Sequence, residues 1–162
     1  MKGLVICIGR QYGSGGREIG EKLAERLGIT CYDKLLLKQA AQKSGVSEKE
    51  FERLDEQPVG AGQFLSGNVF ADSASIGSTF YSESQIVYDA EQETILKVAE
   101  QEPCVIIGRC ASSILRGKKN LLSVFIYADE DDRIARIAAR NHLDEHEARA
   151  RMRKMDRMRR RY

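Results

Sequence analysis

The feature that most constrains this chain is an apolar run that breaks into glycines. Leu4-Val5-Ile6-Cys7-Ile8-Gly9 passes directly into Arg10-Gln11-Tyr12-Gly13-Ser14-Gly15-Gly16-Arg17-Glu18-Ile19. A short, β-branched apolar run suits a strand covered on both faces, and the residues after the glycines take a helical period, with Ile19, Leu23 and Leu27 expected on one buried stripe. Gly28 is placed to stop that helix as a left-handed C-terminal cap. A strand, a glycine-rich turn and a helix start leave backbone N–H groups and the positive end of a helix dipole facing one concavity, where phosphate oxygens can approach the main chain. Gly13, Ser14, Gly15, Gly16 and Arg17 are therefore expected to bind a nucleotide's phosphates or another phosphate.

The loop departs from the phosphate-loop pattern G-x-x-x-x-G-K-[ST], in which lysine reaches the β- and γ-phosphates and a hydroxyl meets magnesium. With Gly13-Ser14-Gly15 as the glycine core, Gly16 stands where lysine belongs, and Arg17 and Glu18 follow it. Arg17 offers a planar cation from one position later. A glycine-rich turn that binds nothing is the plainer alternative, with Ser14 only a turn residue and Arg17 only a solvated cation.

Length and composition narrow the class. The 162 residues, 42% hydrophobic, suit one domain with a real core, expected over 1–162. No apolar run spans a bilayer and no signal-peptide pattern opens the chain, so a cytoplasmic protein with no membrane partner is expected. The four cysteines, at positions 7, 31, 104 and 110, lack metal-ligand spacing and suit reduced thiols in or near the core. His142 and His146 lie beside Asp144, Glu145 and Glu147, which favours a solvated face over a metal site. From Arg149 to Arg161 there are eight cations and one carboxylate, which points to an anionic partner, either nucleic acid or substrate phosphate.

The remaining elements alternate. A second strand is expected over Ile29–Tyr32 and a helix from Asp33 to Gly45. Ser47 with Glu50 reads as a capping box for a short helix, and the glycines and serines between Gln57 and Tyr81 suit a mobile flap. A long helix opens at a second capping box, Ser82 with Gln85, and ends before Pro103. Strands follow at Cys104–Ile107 and Leu121–Tyr127, with Gly108-Arg109-Cys110 at the carboxyl edge of the sheet, where ligands bind in open α/β folds. Asp131 and Asp132 suit the first turn of the next helix, and Asp144 with Glu147 caps the last. Alternating strands and helices imply a parallel sheet with right-handed crossovers.

Together these segments resemble the cytidylate kinase-like family of P-loop proteins. The likeness rests on the Arg10–Ile19 loop, Tyr32-Asp33-Lys34, Ile107-Gly108-Arg109-Cys110 and Lys154-Met155-Asp156 with its arginines. It implies an α/β, three-layer P-loop kinase fold with a central parallel sheet flanked by helices. That fold normally returns with a fifth strand and a final helix, so a chain ending at Tyr162 is expected to lack them and to leave one sheet edge open. The resemblance also implies ATP and Mg²⁺ as cofactors, with Gly13 to Gly16 and Arg17 on the donor phosphates. Asp33, Lys34, Lys38 and Arg109 would hold the acceptor. Arg17 with Arg153, Arg157 and Arg160 would neutralise charge in transfer, and Asp156 would orient the lid arginines by ion pairing. Metal ligands are not assigned by the resemblance; Glu18 or Asp33 is a candidate for ordering the metal. Residues 46–82 would be an acceptor-side insertion and 142–162 a lid-like basic helix.

The leading expectation is transfer of the ATP γ-phosphate to a nucleoside monophosphate or similar small phosphorylated acceptor. Two other readings stand beside it: a nucleotide sensor without catalysis, and a nucleic-acid-binding module using the basic helix. The acidic helix preceding the basic one argues against an extended nucleic-acid face. The long helix Ser84–Gln101 offers a surface for homodimer formation.

Overall fold

The computed structural model describes residues 3–44 and 83–160. Residues 46–82, the expected insertion with its Ser47 box, and the Ser82 cap lie outside the described residues. Four strands, β1 (Val5–Arg10), β2 (Thr30–Tyr32), β3 (Cys104–Ile107) and β4 (Leu121–Ile126), form one parallel sheet in the order β2-β3-β1-β4. Helices α1 (Gly16–Leu27), α2 (Lys34–Ser44), α3 (Glu83–Gln101), α4 (Ala111–Ile114), α5 (Glu130–Asn141) and α6 (Glu145–Arg159) complete the described elements. This is the expected α/β architecture. Among the described residues no helix is long and apolar enough to cross a membrane.

The two central strands are continuous apolar runs because both of their faces are covered. In register, Val5 lies between Cys104 and Leu121, and Ile8 between Ile107 and Val124. Val5, Cys7, Cys104 and Ile106 pack on one face with Leu36 of α2 and Ile95 and Val98 of α3. Ile6, Ile8, Val105 and Ile107 pack on the other with Ala24 of α1. In the described residues β4 is an outer strand; Leu122 and Phe125 on it are 50% and 62% exposed, and Tyr127 just after it is 76% exposed.

Helix α1 buries a different ridge from the expected one. Ile19 is 45% exposed, and the fully buried residues are Gly16, Gly20 and Ala24, with Leu23 and Leu27 partly buried beside them. Small side chains bring the helix close to the sheet: a methyl group on Gly20 would stand 2.8 Å from Ile107 Cδ1 and 3.1 Å from Ile8 Cδ1. Two expected end signals are in place. Gly28 adopts the left-handed conformation and donates to the α1 carbonyls. Asp144 accepts from the Glu147 N–H at 2.8 Å while the Glu147 side chain accepts from the Asp144 N–H at 3.2 Å.

A third apolar cluster joins α5 to α6 through Ile134, Ile137, Ala148 and Met152, with Tyr12 from the glycine loop packed against it. The last two helices are thereby tied to the loop as well as to each other. All four cysteines are free thiols, Cys7 and Cys104 buried, Cys31 and Cys110 partly so. Burial pushes Cys7 up to about 12 and Cys104 up to about 11, because the thiolate would lose its hydration.

Two outcomes follow. Gly20→Val should lower stability by about 1–3 kcal/mol in chemical denaturation, since overpacking outweighs the few tenths gained in helix propensity. Below pH 9 both folded and unfolded chains hold the Cys7 and Cys104 protons. Between pH 9 and 11 only the unfolded chain releases them, so stability falls as pH rises, by about 1 kcal/mol per thiol from pH 8 to 10. Denaturation midpoints of wild type and Cys7→Ala/Cys104→Ala at those two pH values should show the shallower alkaline slope in the variant.

Candidate functional site

The glycine loop leaves β1 at its carboxyl end and turns through two left-handed residues, Gly13 at φ 82° and Gly15 at φ 81°. Both turns are crowded from outside. A methyl on Gly13 would lie 2.9 Å from the Arg133 carbonyl oxygen, and one on Gly15 would lie 2.6 Å from Arg136 Nη1. Gly15 is the N-cap of α1 and brings no side-chain cap to its first turn, so an anion there would find backbone N–H groups and the positive helix end. Ser14 Oγ donates to the Gln11 carbonyl at 2.9 Å and is buried. Its hydroxyl thus serves the turn.

Above the loop opens a cavity of about 520 Å³. Five arginines line it, Arg10, Arg17, Arg136, Arg140 and Arg159, against two carboxylates, Glu18 and Glu21. The excess of guanidinium groups over carboxylates suits an anion with several negative charges. Of the expected donor-site residues, Gly13, Gly15, Gly16 and Arg17 line this cavity.

Arg17 is held by two carboxylates, with Nε 3.0 Å from Glu21 and 3.1 Å from Asp33 Oδ2. These partners raise its pKa, the Glu21 hydrogen bond most. Arg17 and Asp33, expected on donor and acceptor sides, are thus brought together where α1 meets the β2–α2 turn. Lys34 begins α2 and Lys38 lies exposed one turn later. Glu18 pairs with Lys22 at 2.8 Å and approaches Arg136 at 3.7 Å.

Arg109 and Cys110 follow β3 with left-handed backbones, φ 56° and 51°. The Arg109 side chain is only 9% exposed and pairs with Glu91 of α3, which is equally buried. The guanidinium expected to face an acceptor phosphate is, in this structure, bound to that carboxylate.

The basic helix is attached to the loop through Tyr12. The Tyr12 N–H donates to Asp156 Oδ1 at 2.9 Å, and Arg133 Nε donates to the Tyr12 carbonyl at 2.8 Å. Buried Arg133 also pairs with Asp156. Asp156 therefore anchors α6 to α5 and the loop, and the expected pairing with lid arginines gives way to Arg133. Arg159 lies 5.3 Å from the Tyr12 ring centroid and its Nη1 donates to the Arg10 carbonyl at 3.3 Å. Desolvation lowers its pKa from the usual guanidinium value. Arg153, Arg157 and Arg160 are exposed, and Arg153 lies 3.9 Å from Glu130. Arg149 is held by Glu130 and Glu145 at 2.7 and 3.1 Å.

Sequence reasoning missed Arg10, Tyr12, Arg136, Arg140 and Arg159. The spacing of Arg136 and Arg140, at i and i+4 on one helix, was an available signal for the cavity wall. Asp156→Ala should destabilise the fold by about 3–5 kcal/mol by leaving Arg133 buried without its carboxylate. Arg153→Ala should change stability by less than about 0.5 kcal/mol, as exposed pairs do. Urea denaturation of the two variants gives the comparison.

A sequence model described as the cytidylate kinase-like family matches residues 5–162. The fold resembles the crystal structure of an uncharacterized protein from Eubacterium ventriosum ATCC 27560, with TM-score 0.68 and 34% identity, covering 98% of this chain and 76% of that one. It also resembles TT1252 from Thermus thermophilus, with TM-score 0.53 and 22% identity, covering 95% of this chain and 81% of that one. Among curated proteins none matches.

Proposed function

This chain belongs to the cytidylate kinase-like family, and from that membership and the cavity we propose that it is an ATP-dependent phosphotransferase acting on a nucleoside monophosphate or similar small phosphorylated acceptor. The observation that carries the reading is the cavity itself: five arginines gathered over a helix start that has no side-chain cap, at the carboxyl end of a central parallel strand. Phosphoryl transfer asks little covalent chemistry of a protein. It asks for in-line positioning and for fixed positive charge where the moving group passes.

In this reading Gly13 to Gly16 cradle the donor phosphates as a P-loop, and the arginines of α5 and Arg159 close over them. An oxygen of the acceptor phosphate bonds to Pγ as the Pβ–O–Pγ bridge breaks, and ADP leaves with the electron pair. Arg17, fixed by Asp33, stands where donor and acceptor sides meet. Arg109, at the edge of β3, serves the acceptor after exchanging Glu91 for a phosphate. Exposed Arg153, Arg157 and Arg160 raise the local concentration of anionic substrates.

Among the described residues no group of three His, Cys, Asp or Glu side chains could hold a metal. Mg²⁺, which offsets phosphate charge when bound, would accordingly arrive on the nucleotide's own phosphates. Glu18 and Asp33, the carboxylates expected to order the metal, are both held by cations.

A coupled assay of ADP release across nucleoside monophosphates should find a productive acceptor. Arg17→Ala and Arg109→Ala should each lower kcat/KM at least tenfold, or about 1.4 kcal/mol of transition-state stabilisation. Unfolding midpoints separate lost chemistry from a lost fold. Full turnover by both variants overturns the assignment, and tight ATP binding without turnover on any acceptor selects the sensor reading.

A further inference from the structure

The loop has glycine where phosphate loops carry lysine, and the structure shows what fills that space. A methyl on Gly16 would lie 2.6 Å from Cβ and 3.2 Å from Cγ of Arg10, and 3.3 Å from Ile126 Cβ. The first carbon of a lysine at position 16 thus falls within contact distance of the Arg10 stem. The stem runs on past Gly16 to the carboxyl end of β3, where a methyl on Gly108 would stand 1.6 Å from Arg10 Nη1 and 2.8 Å from its Cζ. Gly108 has φ 76°, so its lack of a side chain serves both the turn and the passage of Arg10.

The Arg10 guanidinium consequently lies between two segments, the glycine loop on one side and Gly108-Arg109-Cys110 on the other. It is half-buried and forms part of the cavity wall. Its backbone is fixed where the strand passes into the loop. Arg10 pairs with Ile126 at the end of β4, its carbonyl accepts from Arg159, and the next N–H, of Gln11, donates to the Ile126 carbonyl at 3.0 Å. The backbone that carries this cation is thus fixed, and only the side-chain torsions set where the guanidinium points.

We propose that Arg10 takes the place of the missing loop lysine, delivering from the end of β1 the cation that contacts the terminal phosphate of ATP. This rests on the donor-site reading above. The glycine at position 16 is then the counterpart of the arginine at position 10, since one side chain occupies the room that two would need. A guanidinium in this position also offers several N–H donors in one plane, so it can span oxygens that a point charge meets one at a time.

Calorimetry with Mg-ATP on the full chain tests the proposal. Arg10→Ala should weaken ATP binding at least tenfold, and Arg10→Lys should recover part of the loss. Gly16→Lys alone should lower both the unfolding midpoint and ATP affinity by collision with Arg10. In the Arg10→Ala background, Gly16→Lys should restore affinity to within about threefold of wild type, a rescue that a merely structural role for Arg10 would not produce. Binding by folded Arg10→Ala within twofold of wild type overturns the proposal and leaves the donor site standing, as does a loss that neither Arg10→Lys nor the double variant repairs. Absence of ATP binding by the wild type overturns the donor site and Arg10's role together.

Discussion

The backbone of Tyr12 is the point on which this architecture depends. One peptide-length of loop is held from both sides, its N–H by Asp156 and its carbonyl by Arg133, while those two side chains pair with each other. Ion pairs between charges taken out of water are costly to assemble and more costly to break. Here the loop's own polar groups satisfy what the pair leaves over, so the three residues form a closed set. The arrangement fixes the glycine loop relative to α5 and α6, and it is α5 and α6 that bring Arg136, Arg140 and Arg159 over the cavity.

Close approach is the second organising constraint. Gly16, Gly20 and Ala24 let α1 lie near the sheet, and the same absence of side chains at Gly16 and Gly108 makes a passage for Arg10. Positive charge reaches the cavity from a strand end, from α1 and from the last two helices, while compensating carboxylates are contributed mainly by α1 and the β2–α2 turn. Charges converging from elements far apart in sequence can be held at fixed separations, as stabilising a dispersed phosphoryl charge requires.

The frame of the fold was legible in the sequence because it is written in local signals. Apolar runs marked β1 and β3, Gly28 marked the end of α1, and the Asp144–Glu147 box marked the start of α6. Reading a stripe through Ile19 failed because periodicity weighs apolar side chains, and this helix buries its smallest ones instead. The glycine loop and its arginines could be recognised as a group with an affinity for phosphate. Their division of labour could not: nothing local to Arg133 distinguishes a buried partner of Asp156 from the solvated cations around it, and nothing local to Tyr12 shows that its backbone is the anchor. Likewise, Arg109 gave no sign in the sequence that Glu91 would meet it, since the pair joins two elements through tertiary packing.

The register of β1 carries a consequence for the order of assembly. Val5 pairs with Cys104 on one side and Leu121 on the other. A ribosome adds about 5–20 residues per second, so this central strand waits on the order of ten seconds for its neighbours. During that interval the Leu4–Ile8 run has no partner strand to cover its backbone. Such long-range pairing slows folding relative to a chain of local contacts. The segment that carries the phosphate loop thus precedes both of its partner strands in synthesis and is enclosed only once they have emerged.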